Sequence, residues 1–266
     1  MKRGACLFVL VMAGMLMSAE AQSPPSSLEG MWSDPVPTAA DQFCFFSCTD
    51  AGLERLNALL DDPANDARPY NDLAGEAKAY EREYLRLRLS DAALKTYPLD
   101  NADDPGFLRC EPWGLARQMF APHQLEIRRR GQDLIDLRYG EWDARRVVYM
   151  GGPRRSANQP PSPMGYSTGR WEGETLVIES SGIAGNIAPW PEMLVSSASH
   201  SDQLRIVERY SRSKDGKLLL TATIDDPWGL KEPLVLRKVW RSAPEFHFEP
   251  YLNCHPAAEF SREPSR

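Results

Sequence analysis

Apolar positions along the chain follow a helical period before about residue 100 and a period of two after Leu108. Leu53, Leu56, Leu59 and Leu60 recur at helical spacing and predict a helix over 51–60. Thr49 and Asp50 can cap it, and Asp61, Asp62 and Pro63 stop it. Leu73, Ala77, Tyr80, Tyr84 and Leu87 form one stripe of a second helix over 72–89, with Glu and Arg opposite and Asn71 as cap. Ser90 caps a third short helix over 91–96. Strands are predicted over 124–129, 134–139, 144–150, 175–180, 203–212, 217–224 and 234–240. Turn signals separate several of them: Gly131-Gln132, Glu172-Gly173, Asp215-Gly216 and Asp225-Asp226-Pro227. No interval between strands after residue 120 holds a helix-length periodic segment, which argues against a doubly wound α/β fold. The expected class is mainly β, an antiparallel barrel or sandwich with a small N-terminal helical layer.

Reading faces refines this picture. Leu204, Ile206, Glu208 and Tyr210 share one face of a strand, and Leu218, Leu220, Ala222 and Ile224 share one face of the next. Glu208 is an acid on an otherwise apolar face, and a buried ion pair with an arginine is its favoured reading. The stretch 139–146 is dense in polar and aromatic residues. Tyr139, Glu141, Asp143 and Arg145 share a face if the strand is regular, while Gly140 would mark a bulge that breaks the register.

The start of the chain reads as an export signal. Lys2 and Arg3 precede a twelve-residue apolar run, 6–17, and Ala19 and Ala21 sit where a signal peptidase reads small residues. Cleavage before Gln22 is expected, and no segment of the mature chain is apolar and long enough to span a bilayer. The expected organisation is a leader over 1–21, a linker and loop-rich segment over 22–49, the helical layer over 50–97 and the β-rich barrel domain over 98–266. The 266-residue chain carries a net charge of −6. Losing Lys2, Arg3 and Glu20 makes it one unit more acidic. That balance excludes phosphate-backbone binding, so no nucleic-acid partner is expected. Cys44, Cys48, Cys110 and Cys254 remain after cleavage, an even set in an oxidising compartment, and all four are disulfide candidates. Cys44 and Cys48 suit a local bridge; spacing alone does not choose among the three pairings.

Two segments are distinctive: 165–179 (GYSTGRWEGETLVIE) and 200–210 (HSDQLRIVERY). With Cys110-Glu111-Pro112-Trp113-Gly114 upstream, they resemble a large group of exported, mostly uncharacterised bacterial proteins. Those pair a GxSxGRWEGxTLV segment with a later HSxxLxxxER segment. The resemblance covers roughly 110–254 and implies a lipocalin-like barrel, but no established reaction.

The candidate chemistry is sparse. Gly165-Tyr166-Ser167-Thr168-Gly169 matches a nucleophile-elbow pattern, but a proline-rich loop precedes it and a hairpin follows, so a structural turn is favoured. Arg170 and Trp171 belong to that hairpin and are also suited to stacking on an aromatic ligand. His200 sits before a strand at a barrel rim, where a loop-closing hydrogen bond is the favoured role. A His–carboxylate dyad would need Glu141, Asp143 or Glu172 brought to it, because Glu208 is about 25 Å away along one extended strand. No cofactor or metal motif is present, and His123, His247 and His255 are scattered.

The leading expectation is an exported protein holding a small apolar or aromatic molecule in a β-barrel. Trp142, Arg170, Trp171, His200 and Glu208 are its candidate binding residues. The competing classes are a cofactor-free envelope enzyme using His200, with Glu208 or another carboxylate, and a structural or partner-binding envelope protein.

Overall fold

The structure is a computed structural model and describes residues 28–33, 38–95, 114–140, 143–152, 156, 158–185 and 200–248. The expected leader 1–21, the linker up to residue 27, and Cys110, Glu141, Trp142, Cys254 and His255 lie outside the described residues.

Nine strands close a barrel in sequence order. They are β1 (Gly30–Ser33), β2 (Leu125–Arg130), β3 (Leu134–Tyr139), β4 (Arg145–Met150), β5 (Tyr166–Glu172), β6 (Thr175–Ser181), β7 (Arg205–Arg212), β8 (Leu218–Asp225) and β9 (Leu234–Ser242). Of the two arrangements expected, the protein adopts the barrel, in the up-and-down order of lipocalin-type folds. An odd ring of strands cannot alternate direction all the way round. The exception is β4 with β5, which pair in parallel through Val148↔Ser167, Tyr149↔Thr168 and Met150↔Gly169. The connection 151–165 therefore has to return along the barrel from the end of β4 to the start of β5.

β1 lies in the stretch that the sequence pattern leaves as loop-rich, and it closes the ring. It pairs with β2 at Gly30↔Ile127, Met31↔Glu126 and Trp32↔Leu125, and with β9 at Trp32↔Ser242 and Ser33↔Arg241. Four residues are too few to show a period, which is why the strand escapes a pattern reading. Trp32 anchors it: the side chain is buried, and its indole Nε1 donates to the Leu28 carbonyl at 3.0 Å. β5 escapes the pattern as well, because Ser, Thr and Gly residues dilute its alternation.

The inner faces follow the expected two-residue period. Ile206, Glu208 and Tyr210 of β7 and Leu218, Leu220, Ala222 and Ile224 of β8 are all buried. The register carries this face onto Leu176, Ile178 and Ser180 of β6 and onto Leu234, Leu236, Lys238 and Trp240 of β9. Each fully buried Leu or Ile contributes about 2 kcal/mol of apolar transfer.

The helices are α1 (Ala39–Phe43), α2 (Asp50–Leu60), α3 (Tyr70–Arg86), α4 (Asp91–Leu94) and α5 (Leu115–Gln118), with a 3-10 turn at Pro63–Asn65. Thr49 caps α2 through Gly52 N–H, and Ser90 caps α4 through Ala93 N–H, as the sequence suggests. Helix α3 starts earlier than expected, after Pro69 instead of Asn71, and no side chain caps it. The proline's fixed φ already presets the entry into the helix. A second apolar cluster forms here, separate from the lumen, around Phe43, Leu56, Leu59, Leu73 and Ala77.

The α2–α3 contact is held by a buried acid. Glu81 of α3 accepts the backbone N–H of Thr49, and the Thr49 hydroxyl at 2.8 Å. It thereby places a carboxylate at the N-terminus of α2. Lys78 adds a bond to the same carboxylate at 2.7 Å. Gly52 permits the approach, since a Cβ there would lie 2.5 Å from Glu81 Oε1.

The layer is tied to the barrel by Cys48 bridging Arg237, by Asp50 paired with Arg237, and by Lys217 paired with Asp41 at 2.6 Å. Cys44 and Cys48 form a local disulfide, one of the pairings that spacing leaves open.

Replacing both Cys44 and Cys48 by Ala is expected to lower unfolding free energy by about 2 kcal/mol, the loop-closure value for so short a ring. Urea denaturation of the oxidised and substituted proteins measures it.

Candidate functional site

The barrel places polar chemistry in two locations. The first is the middle of the lumen. Arg146 of β4 points inward, and its guanidinium reaches across to Glu208 of β7 in a two-pronged pair, Nη1 to Oε1 at 2.6 Å and Nη2 to Oε2 at 2.7 Å. Nη2 also donates to the Tyr139 hydroxyl at 2.8 Å, and Nη1 to Ser180 Oγ at 3.2 Å. The Tyr210 hydroxyl donates to Glu208 at 2.9 Å, and Ser167 and Ser180 share a bond of 2.8 Å. Burial pushes both phenols, Tyr139 and Tyr210, above the ordinary tyrosine range. Burial opposes the charge on Arg146, but Glu208 overcomes that and holds the guanidinium protonated more firmly than usual.

This network is buried: Leu137, Val148, Ile178, Ile206, Tyr210, Leu220 and Ala222 of the same core are 0–1% accessible to water. From the side of α5, Met119 and Phe120 pack into the same cluster, and Lys238 on the inner face of β9 donates to the Ala121 carbonyl.

The second location is the end of the barrel where β6 leaves, β7 enters and β8 turns into β9. A cleft of about 520 Å³ lies there, lined by Pro161, Ala184, Gly185, His200, Ser201, Asp202 and Trp228. Asp226, fully buried, organises its floor. It accepts the Ser201 N–H at 2.8 Å, the Ser201 hydroxyl at 2.6 Å and the Trp228 N–H at 3.3 Å. Ser90 ties this loop to the helical layer by donating to the Trp228 carbonyl at 2.6 Å. His200 is 1% exposed, with Nδ1 3.0 Å from the Ser201 carbonyl. Burial depresses its basicity, only partly offset by that carbonyl and by Asp226, so the ring is held neutral at physiological pH.

The residues that the sequence singles out thus fall in different places. Glu208 is the buried ion-pair partner expected of it, and both its oxygens are occupied. His200 lies beside the carbonyl of the next residue, Ser201, and lines the cleft. Trp171 lies on the inner face opposite Leu176, toward the β5–β6 hairpin, and packs against the lumen cluster. Arg170 requires a correction as a pocket residue. It alternates with Trp171 onto the outer face, where it pairs with Glu172 at 2.8 Å and Glu179 at 2.5 Å. Trp142 lies outside the described residues.

No described bond joins His200 to the carboxylates weighed for a dyad. Asp143 is held by Arg138 and Arg145, and Glu172 by Arg170 and Arg209. Ser167 sits within β5, bonded to Ser180, and no helix follows it, so the elbow geometry is absent there. Tyr139 and Arg145 do not share a face: Tyr139 is buried, Arg145 is exposed, and Asp143 at φ 49° breaks the register between them. Arg146 escapes a sequence reading because β4 begins with two arginines, one on each face, and period-two alternation cannot rank them. Lys238 escapes it because lysine on an apolar face reads as an edge residue. Among the described residues, no three His, Cys, Asp or Glu side chains gather to hold a metal.

No family model matches the chain, and no curated protein does. Among solved structures, a match is the crystal structure of the wild-type fluorescent protein UnaG, with 18% sequence identity, covering 45% of this chain and 72% of that one, at a TM-score of 0.28. So loose a likeness says nothing about the site, and the barrel assignment rests on the strand pairing itself.

Glu208→Ala is expected to cost about 3–5 kcal/mol, because it leaves the Arg146 charge buried and unpaired. Arg146→Met combined with Glu208→Leu should recover most of that loss; urea denaturation of the single and double variants measures both. His200 gives a second prediction. Its folded-state basicity lies below the ordinary value of 6.5, so the unfolded chain binds more protons just below that pH. Its contribution to stability is complete above pH 6.5 and is lost as pH falls below it. His123 shifts in the same direction, so His200→Gln should reduce the acid loss without abolishing it, as read from urea midpoints on either side of that value.

Proposed function

We propose that this chain is an exported small-molecule-binding protein that takes a flat apolar or aromatic ligand at the His200–Trp228 end of its barrel. The observation that carries this reading is the cleft of about 520 Å³. That size falls within the range of small-molecule sites, and polar and apolar groups share the lining. Trp228 offers an indole surface, Pro161 and Ala184 add apolar contact, and a neutral His200 adds polarity without a charge to desolvate.

The leader pattern over 1–21 and the resemblance of 165–179 and 200–210 to exported bacterial proteins support export. Binding is favoured over catalysis because the acids considered as partners for His200 within the described residues are each held by arginine. The Ser201 hydroxyl is likewise committed to Asp226.

Native mass spectrometry of protein purified from its own envelope fraction tests the reading. The expected result is an added mass of one small organic molecule, retained in the wild type and lost in Trp228→Ala. The melting temperature of that variant should show that it remains folded. An empty wild-type protein that also fails to take up any member of an aromatic small-molecule library would overturn it.

A further inference from the structure

A second concavity, of about 620 Å³, lies in the helical layer and shares no lining residue with the barrel-end cleft. Its wall is aromatic. Phe45 and Phe46 meet edge to face with ring centres 4.8 Å apart, in the loop closed by the Cys44–Cys48 disulfide, and Phe43 continues the wall from α1. Its floor is one face of α3, on which Tyr70, Ala74, Lys78 and Arg82 recur every four residues.

The chemistry changes along that face. It is uncharged through Ala74 and Gly75 and cationic at Lys78 and Arg82, and Ala74 and Arg82 are separated by a rise of about 12 Å. Lys78 is already engaged: it donates to the Ser47 carbonyl at 2.8 Å and to Glu81 at 2.7 Å, and its ammonium lies 3.9 Å from the Phe43 ring centre. Arg82 is exposed and makes no hydrogen bond or ion pair among the described residues.

An aromatic wall, a floor of small residues and an uncommitted guanidinium at one end suit an amphiphile with a single anionic head. We propose that this groove binds a medium-chain carboxylate, with its alkyl chain over Ala74 and Gly75 against the phenylalanines and its carboxylate on Arg82. A guanidinium offers a carboxylate paired donors that a point charge does not. The size of the groove matches a small molecule, not a protein segment.

Isothermal titration of the full chain with octanoate, and with 1-octanol as the uncharged control, tests the site. Gly75→Leu is the blocking variant. A Cβ at Gly75 meets nothing within 4 Å, so the new side chain enters open space, and leucine is the better helix former. Octanoate should bind the wild type and Trp228→Ala alike, and Gly75→Leu should abolish that binding. Arg82→Gln should weaken octanoate by about fivefold and leave 1-octanol unchanged. Absence of octanoate binding to the wild type, or binding that Gly75→Leu leaves intact, would overturn the groove. Equal losses for octanoate and 1-octanol in Arg82→Gln would overturn the anion assignment. The retention of binding in Trp228→Ala separates this site from the barrel-end cleft.

Discussion

The pair between Arg146 and Glu208 constrains the rest of the barrel. Two opposite charges buried in the barrel pair between β4 and β7, with β5 and β6 between them in the sheet. Replacing such a pair with apolar side chains is often neutral or stabilising, whereas removing one partner leaves a buried charge unpaired. If β4 slipped by one residue, Arg145 would face the lumen and Arg146 the solvent, leaving Glu208 without the geometry it now has. The surrounding hydroxyls of Tyr139, Ser180 and Tyr210 are arranged to serve that pair. The register of β4, which the apolar pattern alone leaves ambiguous, is thereby set.

The same logic operates in the helical layer at smaller scale. Glu81 is buried, as Glu208 is, and its donors come from the N-terminus of α2 and from Lys78 in place of an arginine. Both acids are thus held by a donor from a separate element. Gly52 is where the close approach requires the absence of a side chain.

Much of the barrel is legible in the sequence because a half-buried strand shows its faces by alternation. The inner faces of β7 and β8 can be read residue by residue, and the ion-pair role of Glu208 follows from a single acid among apolar neighbours. What escapes has physical reasons. β1 is too short to display a period, yet Trp32 makes it a barrel wall. The 139–146 stretch looks like one continuous face, but the positive φ of Asp143 turns the chain there and exchanges inside for outside. The cleft is only partly legible. His200 stands out as a histidine beside a strand, whereas Asp226 reads as a turn residue and Trp228 carries no signal of its own. Their convergence on His200 and Ser201 is a tertiary fact with no local signature.

The two ends of the barrel differ in a way that bears on where function can reside. At one end β2 passes to β3, β5 to β6 and β7 to β8 through tight hairpins, and Gly173 at φ 60° shows how little backbone is spent there. Such turns satisfy their own geometry and leave few groups to face a ligand. At the other end the chain leaves β6 at residue 181 and re-enters at 205, and it leaves β8 at 225 and re-enters at 234. A buried carboxylate, Asp226, joins described residues of both connections, Ser201 and Trp228. The recognition we propose uses the loops at this end and the helices packed outside, where concave surface meets aromatic side chains among the described residues.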